Sequence, residues 1–416
     1  MKALFVSYGG GHIEMCLPVM RALRERVPGC DARIMALTTA GAVARAAGES
    51  PLGFADFMDG ADGERARRLG EQALAGNQHP DVSRDESVAY LGLNLSEWAD
   101  DIAEADALTR FAAEGRHAFT PVRFFERVLG ALQPDVVVAT NSPRSEQAVV
   151  EAAARLRIPS LSMLDLFGLP GDPFLSRRVQ ADRITVLSDG VAANLIAAGI
   201  PAERIVVTGN PAFDALAGDE ALAQGRSWRA ERGWDGLQVV LWAGHREPND
   251  SRAPWAGTGL GDAVQARLVA WALAREDVAL AMRYHPNEWQ DFTAPPQHPR
   301  LHWSVPGREG LTPVLMAADQ VVVQATTVGV QAHAAGKRLI GLGFSPLVQR
   351  SGMDYARLGL GVRADSIEHM IELLDEGINT RAIDHTTNVH AGGAAAAVAR
   401  EIAALAAPPT VRAEPV

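Results

Sequence analysis

Short apolar runs alternate with amphipathic stretches along most of the chain. The alternation predicts strands separated by helices. Residues 3–7 form a β-rich run and 8–11 a glycine turn, and 12–26 places Ile13, Leu17, Met20 and Leu23 at helical spacing. Residues 32–37 and 39–47 repeat the strand–helix pair. Further strands are predicted at 134–140, 160–164, 184–187 and 205–207, with helices at 142–155 and 191–198. A second series places strands at 238–243, 278–283, 321–324 and 339–342. Its helices fall at 262–275, 312–318 and 328–335. Strands joined through helices pair in parallel, because the crossover returns the chain to the same end of the sheet.

Two stretches break this rhythm. Residues 59–133 are helix-rich and acidic, and read as a helical insertion in the first sheet domain. Residues 217–236 read as a linker or helical bridge. The pattern predicts an N-terminal Rossmann-like domain over 1–215 and a C-terminal one over 236–390. Residues 391–416 are predicted to hold a last helix, near 392–405, and a flexible tail rich in Pro and Ala. Open parallel sheets bind ligands at the C-terminal ends of their strands. Two such domains are expected to face each other across a cleft, with the chemistry in the loops that follow strands.

Composition narrows the class. The chain has 416 residues, of which 47% are hydrophobic, enough for full-sized cores. Its 50 acidic against 39 basic side chains give a net charge of −11, which disfavours a nucleic-acid partner. The two cysteines, Cys16 and Cys30, cannot build a disulfide scaffold and suit a reducing cytoplasm. No apolar run approaches the ~20 residues that span a bilayer. A soluble protein is expected, and peripheral contact with a membrane surface stays open.

Four loops carry candidate chemistry. Gly9-Gly10-Gly11-His12 follows the first strand and opens a helix. Free amides and the helix dipole there favour an anion, so Gly10 and Gly11 are candidate ligand contacts. His12 is a candidate general base. Gly244-His245-Arg246-Glu247 follows the first strand of the second series, and its Arg and His suit phosphate oxygens. His285-Pro286 follows the next strand. Thr326-Thr327-Val328-Gly329 starts a helix after a buried strand and suits a pyrophosphate, with Gln331 one turn on.

The strand–GGGH–helix start resembles the entry loop of two-domain GT-B glycosyltransferases that use nucleotide sugars. Gly244-His245-Arg246-Glu247 is similar to a motif of non-hydrolysing UDP-N-acetylglucosamine 2-epimerases, which share that fold. His285-Pro286 resembles the His-Pro motif of GT-B enzymes that use cytidine nucleotides, where the His contacts the donor phosphate. The Thr326–Gln331 layout is similar to the donor-phosphate helix of the superfamily, in which many members carry Glu near the position of Gln331.

The resemblance implies a glycosyltransferase that moves a sugar from a nucleotide-sugar donor to a carbohydrate, lipid-linked or small-molecule acceptor. His12, or in its place Glu14 or Asp165, would deprotonate the acceptor hydroxyl. Gly244, His245, Arg246, His285 and the amides at Thr326, Thr327, Val328 and Gly329 would hold the leaving phosphate. The resemblance also implies that the last helix crosses back to the first domain. No cofactor is expected, and no metal, because no Asp-x-Asp sits at a strand end. A homodimer is compatible with these readings. Two alternatives stand beside the transferase: an epimerase or nucleotide-sugar hydrolase on the same scaffold, and a nucleotide-sugar-binding protein without catalysis.

Overall fold

A computed structural model describes residues 1–74, 81–380 and 392–407. It contains two compact units. The first comprises Met1–Leu187, Ala192–Ala212 and the segment from Ala394 onward, and the second Ser188–Val191 and Phe213–Gly393.

In chain order the first series runs β1 (Lys2–Ser7), α1 (Gly11–Arg26), β2 (Asp31–Ala36) and α2 (Ala40–Ala46). Then come four helices, α3 (Gly60–Ala73), α4 (Arg84–Ala99), α5 (Glu104–Glu114) and α6 (Val122–Leu132). The series closes with β3 (Val136–Ala139), α7 (Ser145–Leu156), β4 (Ser160–Met163), β5 (Arg183–Val186), α8 (Asp189–Ala197) and β6 (Ile205–Val207). All pairings are parallel, in the order β2-β1-β3-β4-β5-β6. Buried on both faces, β3 reads Val-Val-Val-Ala without polar alternation, as an inner parallel strand should.

The predicted insertion is the α3–α6 block, whose aromatic side chains join the core on one face of the first sheet, with Leu4, Val6 and Val137. Phe54 stacks on Phe124 at 4.6 Å, and Tyr90 meets Phe54 and Phe119 edge-on at 5.2 and 5.7 Å.

The second unit contains α9 (Asp219–Ala230), β7 (Gln238–Gly244), α10 (Gly259–Leu273), β8 (Val278–Tyr284), β9 (Leu301–Ser304) and α11 (Leu311–Ala317). It continues with β10 (Gln320–Val323), α12 (Thr327–Ala334), β11 (Arg338–Leu342), α13 (Pro346–Ser351), β12 (Val362–Ala364) and α14 (Ile367–Thr380). Its sheet is also parallel throughout, in the order β12-β11-β10-β7-β8-β9. Residues 217–236 hold α9, whose buried Trp228 and Gly225 pack it into this unit, Gly225 against Met316.

The last described helix, α15 (Ala394–Ala406), packs on α1. Its Val398, Ala399 and Ile402 share a core with Ile13, Leu17 and Met20. The tail predicted to be flexible lies, from 408 on, outside the described residues. Among the described residues no helix is long and apolar enough to cross a membrane.

Strand order in each sheet reverses once, between β1 and β3 in the first and between β7 and β10 in the second. At such a point neighbouring crossovers run to opposite faces, and the loops leaving the two strands part to leave a crevice. In the first unit those are the glycine–His12 loop after β1 and residues 140–144 after β3. In the second they are the His245 loop after β7 and residues 324–326 after β10. Topology therefore singles out two places, one per unit.

Candidate active site

In the first unit the two loops meet around His12. Gly10 caps α1 with φ of 70°, a conformation that costs a side-chain-bearing residue and not glycine. The turn places His12 in the first turn of α1. Its Nδ1 lies 2.7 Å from Thr140 Oγ1 and 3.2 Å from Glu146 Oε1. Its Nε2 lies 3.4 Å from Asp165 Oδ2. The imidazole is thus held between two carboxylates.

Glu146 anchors the arrangement. It is fully buried in the first turn of α7, where the dipole favours negative charge. Its Oε1 accepts from the Tyr8 N–H at 2.9 Å, and its Oε2 accepts from the Ser142 N–H at 2.7 Å and from the Thr140 hydroxyl. A buried carboxylate with this many donors is satisfied rather than stranded. Asp165 differs: Asn141 Oδ1 accepts from its backbone N–H at 3.1 Å, while its own Oδ1 is buried without a hydrogen-bond partner.

Electrostatics follow from the geometry. Burial alone disfavours the His12 cation, but Asp165 and Glu146 outweigh it and raise the imidazole from 6.5 to about 10. Burial disfavours the Asp165 anion, and His12 outweighs that in turn, holding its pKa below the ordinary value. At neutral pH the pair is His12 cation and Asp165 anion. An imidazole held in this way is placed to donate a proton, and the Asp165 carboxylate, another of the candidates, stands beside it. Glu14, the other candidate, is exposed. It stands two residues from His12, about 200° around the helix, and so faces away from this cluster.

Two arginines frame the site. Arg177 donates to the carbonyls of Asn141 and Ser142, at 2.5 and 2.7 Å, and fixes the loop after β3. Arg144 adopts φ of 69° just before α7 and stacks over Tyr8 at 4.7 Å, with its Nε buried and unpartnered. A non-glycine residue in that region costs of order 1–3 kcal/mol, and such strain gathers at functional sites.

The second unit's crevice is organised differently. His245 lies 4.9 Å from His285, ring to ring, and its Nδ1 is 3.3 Å from Glu288. Burial pushes the His245 pKa down, Glu288 opposes this, and His285 adds to it, so His245 is neutral near pH 7. The His245 N–H donates to Gln324 across the β7–β10 gap at 2.7 Å. Glu247 is buried and fully engaged: it accepts from Gln324, from Ser345 Oγ at 2.6 Å and from the Leu347 N–H at 2.7 Å. Arg246 turns to the surface and pairs with Asp291 at 2.7 Å. Gly244 ends β7 beneath this loop.

Thr326 caps α12, and its Oγ1 accepts from the Val328 N–H at 3.4 Å. Thr327 stands exposed at the first helical position. Tyr355 lies buried beneath this turn. Its hydroxyl accepts from the Thr326 N–H at 2.9 Å and donates back to the Thr326 carbonyl. A side chain at Gly329 would begin 2.6 Å from the Tyr355 ring, so only glycine lets the helix start sit this low. The Oε1 of Gln331 is buried without a partner.

The structure thus gathers His12 and Asp165, with Gly10 and Gly11, in one unit. It gathers Gly244, His245, His285, Thr326, Thr327, Val328, Gly329 and Gln331 in the other. Sequence reasoning passed over Glu146. The available signal was a carboxylate in the first turn after a fully apolar strand. Among the described residues, no group of three or more His, Cys, Asp or Glu side chains is placed to hold a metal ion.

No family model and no curated protein sequence matches the chain. Solved structures do. A UDP-GlcNAc 2-epimerase from Neisseria meningitidis bound to UDP-GlcNAc shares 16% identity over 97% of this chain and 100% of its own, with a TM-score of 0.59. A UDP-GlcNAc 2-epimerase from Methanocaldococcus jannaschii shares 15% over the same shares of the two chains, with a TM-score of 0.56. A co-structure of S. aureus MnaA with UDP shares 14% over 97% and 96%, with a TM-score of 0.54. Likeness at these identities defines the fold. The chain has the Rossmann-like α/β fold of these structures, with two parallel sheets, as the alternation predicts.

Proposed function

We propose that the chain acts on a nucleotide sugar as a UDP-N-acetylglucosamine 2-epimerase-like enzyme. One observation carries this reading: His12 is held between the Glu146 and Asp165 carboxylates, and Asp165 Oδ1 is unpartnered. Inverting C2 of such a sugar breaks its C–H bond, and the electron pair forms a C1–C2 double bond as the C1–O bond to UDP breaks; returning UDP to C1 and a proton to the other face of C2 completes the inversion. Both halves need a group that takes a proton and one that gives it. When Asp165 takes a proton, it stops holding His12 charged, so the imidazole gives up its own proton more easily. The two groups therefore titrate as a pair.

The second unit has the other task in this reading. The Thr327 amide, with the Thr326 hydroxyl, His245 and His285, holds the nucleotide's phosphates, while the Val328 and Gly329 amides are engaged by Thr326. Gln331 Oε1 accepts from a ribose hydroxyl. Gly244 leaves the backbone open to close approach, and Arg246 reaches phosphate only by leaving Asp291. Solved structures of this fold with UDP-GlcNAc or UDP bound support such a ligand.

Incubation with UDP-GlcNAc in D2O, followed by proton NMR, tests the reading. Epimerisation exchanges the sugar's C2 proton for deuterium and yields a second UDP-sugar. A protein that leaves the C2 proton in place is no epimerase.

Glycosyl transfer is the second reading, favoured by the Gly9–His12 loop and by His285-Pro286. Asp165 alone would then deprotonate the acceptor hydroxyl. Its signature is UDP release only when an acceptor is present, without C2 exchange.

A further inference from the structure

Two helices begin at the first crevice, and the same backbone turn caps both on different residues. Gly10 caps α1 with φ 70° and ψ −142°, and Arg144 caps α7 with φ 69° and ψ −117°. Glycine takes that turn freely, whereas a residue with a side chain is strained in it. Glycine at both places would serve if only the turn mattered, so the Arg144 side chain has a use that offsets the strain.

The fold itself does not supply that use. Arg144 Nε is buried without a hydrogen-bond partner, and among the described residues the guanidinium makes no hydrogen bond and no ion pair. Glu146, two residues on, is already engaged by Tyr8, His12, Thr140 and Ser142. Arg177, the other arginine here, is committed to the carbonyls of Asn141 and Ser142.

What Arg144 does have is a platform. Its Cζ lies 4.7 Å from the centre of the Tyr8 ring, which is buried and tied through its hydroxyl to Ser145 Oγ at 3.0 Å. Tyr8 opens the glycine loop after β1, and Arg144 closes the loop after β3. The guanidinium therefore lies where the two loops of the crevice meet. Arginine keeps its charge at any physiological pH and presents N–H donors in a rigid fork. Held over a fixed ring and left unpaired, that fork matches two oxygens of one phosphate or carboxylate.

We propose that Arg144 is the oxyanion receptor of the first crevice, gripping a phosphate of the nucleotide or a carboxylate on the sugar that the His12–Asp165 pair handles. The identity of that ligand rests on the nucleotide-sugar reading above; the receptor does not.

Two probes carry the two oxyanions. UDP is titrated by calorimetry, and D-glucuronate by ligand-observed NMR with glucose as the ring that lacks a carboxylate. Each is measured on the wild type, Arg144→Gln and Arg144→Lys. If phosphate is gripped, Arg144→Gln weakens UDP binding about ten- to a hundredfold, the loss of hydrogen bonding to a charged group, and Arg144→Lys recovers part of it. If a carboxylate is gripped, UDP affinity is unchanged, the wild type prefers glucuronate to glucose, and Arg144→Gln erases the preference. Equal UDP affinity in all three proteins, with no glucuronate preference or one that survives Arg144→Gln, overturns the proposal. Arg144→Gly removes the guanidinium and the strain together, so its Tm should match or exceed that of the wild type. A lower Tm with both probes bound as in the wild type means that the arginine serves the fold alone, and overturns the proposal too. C2 exchange from UDP-GlcNAc with neither probe sensitive to Arg144 keeps the epimerase reading and loses the receptor. Arg144-dependent binding without C2 exchange does the reverse.

Discussion

The two crevices use the same ingredients to opposite ends. Each sits where strand order reverses, and each sets histidine beside carboxylate. In the first, one imidazole stands between two carboxylates and is driven to about 10. In the second, two imidazoles share one nearby carboxylate, and His245 is driven down. Burial pushes both histidines toward neutrality, so the ratio of carboxylates to imidazoles decides the outcome. A charge-separated pair with a free oxygen suits proton transfer. A neutral, donor-rich turn with helix amides suits a polyanion, without the repulsion that a second free carboxylate would bring.

The largest effect expected from this contrast is on turnover. Asp165→Asn removes the base and one of the two charges that hold His12 protonated. Activity should fall about 10²–10⁴-fold, the usual worth of a positioned proton acceptor. UDP affinity should stay as in the wild type. If Asp165→Asn turns over normally while His12→Ala is inactive, the roles within the pair are reversed.

Next in size is Glu146→Gln. Three N–H or O–H donors besides His12 then face an amide instead of a carboxylate, and stability should drop by about 2–3 kcal/mol. The change should also alter the pH dependence of stability. A raised His12 pKa stabilises the fold fully below 6.5, and that contribution is lost as pH rises through about 10. Denaturation midpoints of the wild type should therefore fall between pH 7 and pH 10. With Glu146→Gln, His12 loses one carboxylate, and the fall, which still begins near pH 6.5, should be smaller and level off at lower pH. A variant with an unshifted pH profile would mean that Glu146 does not hold the proton on His12.

A middle-sized effect tests the second crevice. Gly329→Ala drives a methyl into the Tyr355 ring, and overpacking of this kind costs about 1–3 kcal/mol. It should tilt the start of α12 and weaken UDP binding, while C2 exchange at saturating substrate changes less. Undiminished UDP affinity in calorimetry would move the nucleotide away from α12.

How much of this was legible beforehand depends on the kind of signal. The alternation of apolar runs and amphipathic helices gave nearly every long element, because parallel strands buried on both faces are apolar throughout. Strands β9 and β12 were missed. Each has three or four residues, and Leu301-His302-Trp303-Ser304 carries no apolar run. The loops could be read as places for chemistry, since Gly10, Gly329 and Thr326 act through local backbone rules. The partners could not. Glu146 lies 134 residues from His12, and only the β1–β3 pairing brings them together. A histidine's pKa is set by such distant neighbours, and Glu146 and Asp165, which raise that of His12, could not be placed beside it from the sequence.

The smallest expected effect concerns the paired histidines of the second crevice. His285 Nδ1 accepts from the Asn287 N–H at 3.3 Å, which leaves the other ring nitrogen available to a ligand. His285→Ala should weaken UDP binding by about 1–3 kcal/mol if that nitrogen meets a charged phosphate. The pH dependence separates this from a merely structural loss. His245 is held neutral in the free protein by burial and by His285, so protonating it should require an anion nearby. A bound diphosphate is such an anion, and its affinity should therefore rise as pH falls from 8 toward 6, with protons taken up on binding. Calorimetry in two buffers of different ionisation enthalpy reads that uptake directly. Zero uptake in the wild type would mean that neither ring changes charge on binding. The second crevice would then hold phosphate through amides alone, and the contrast between the two units would be wider than their histidines suggest.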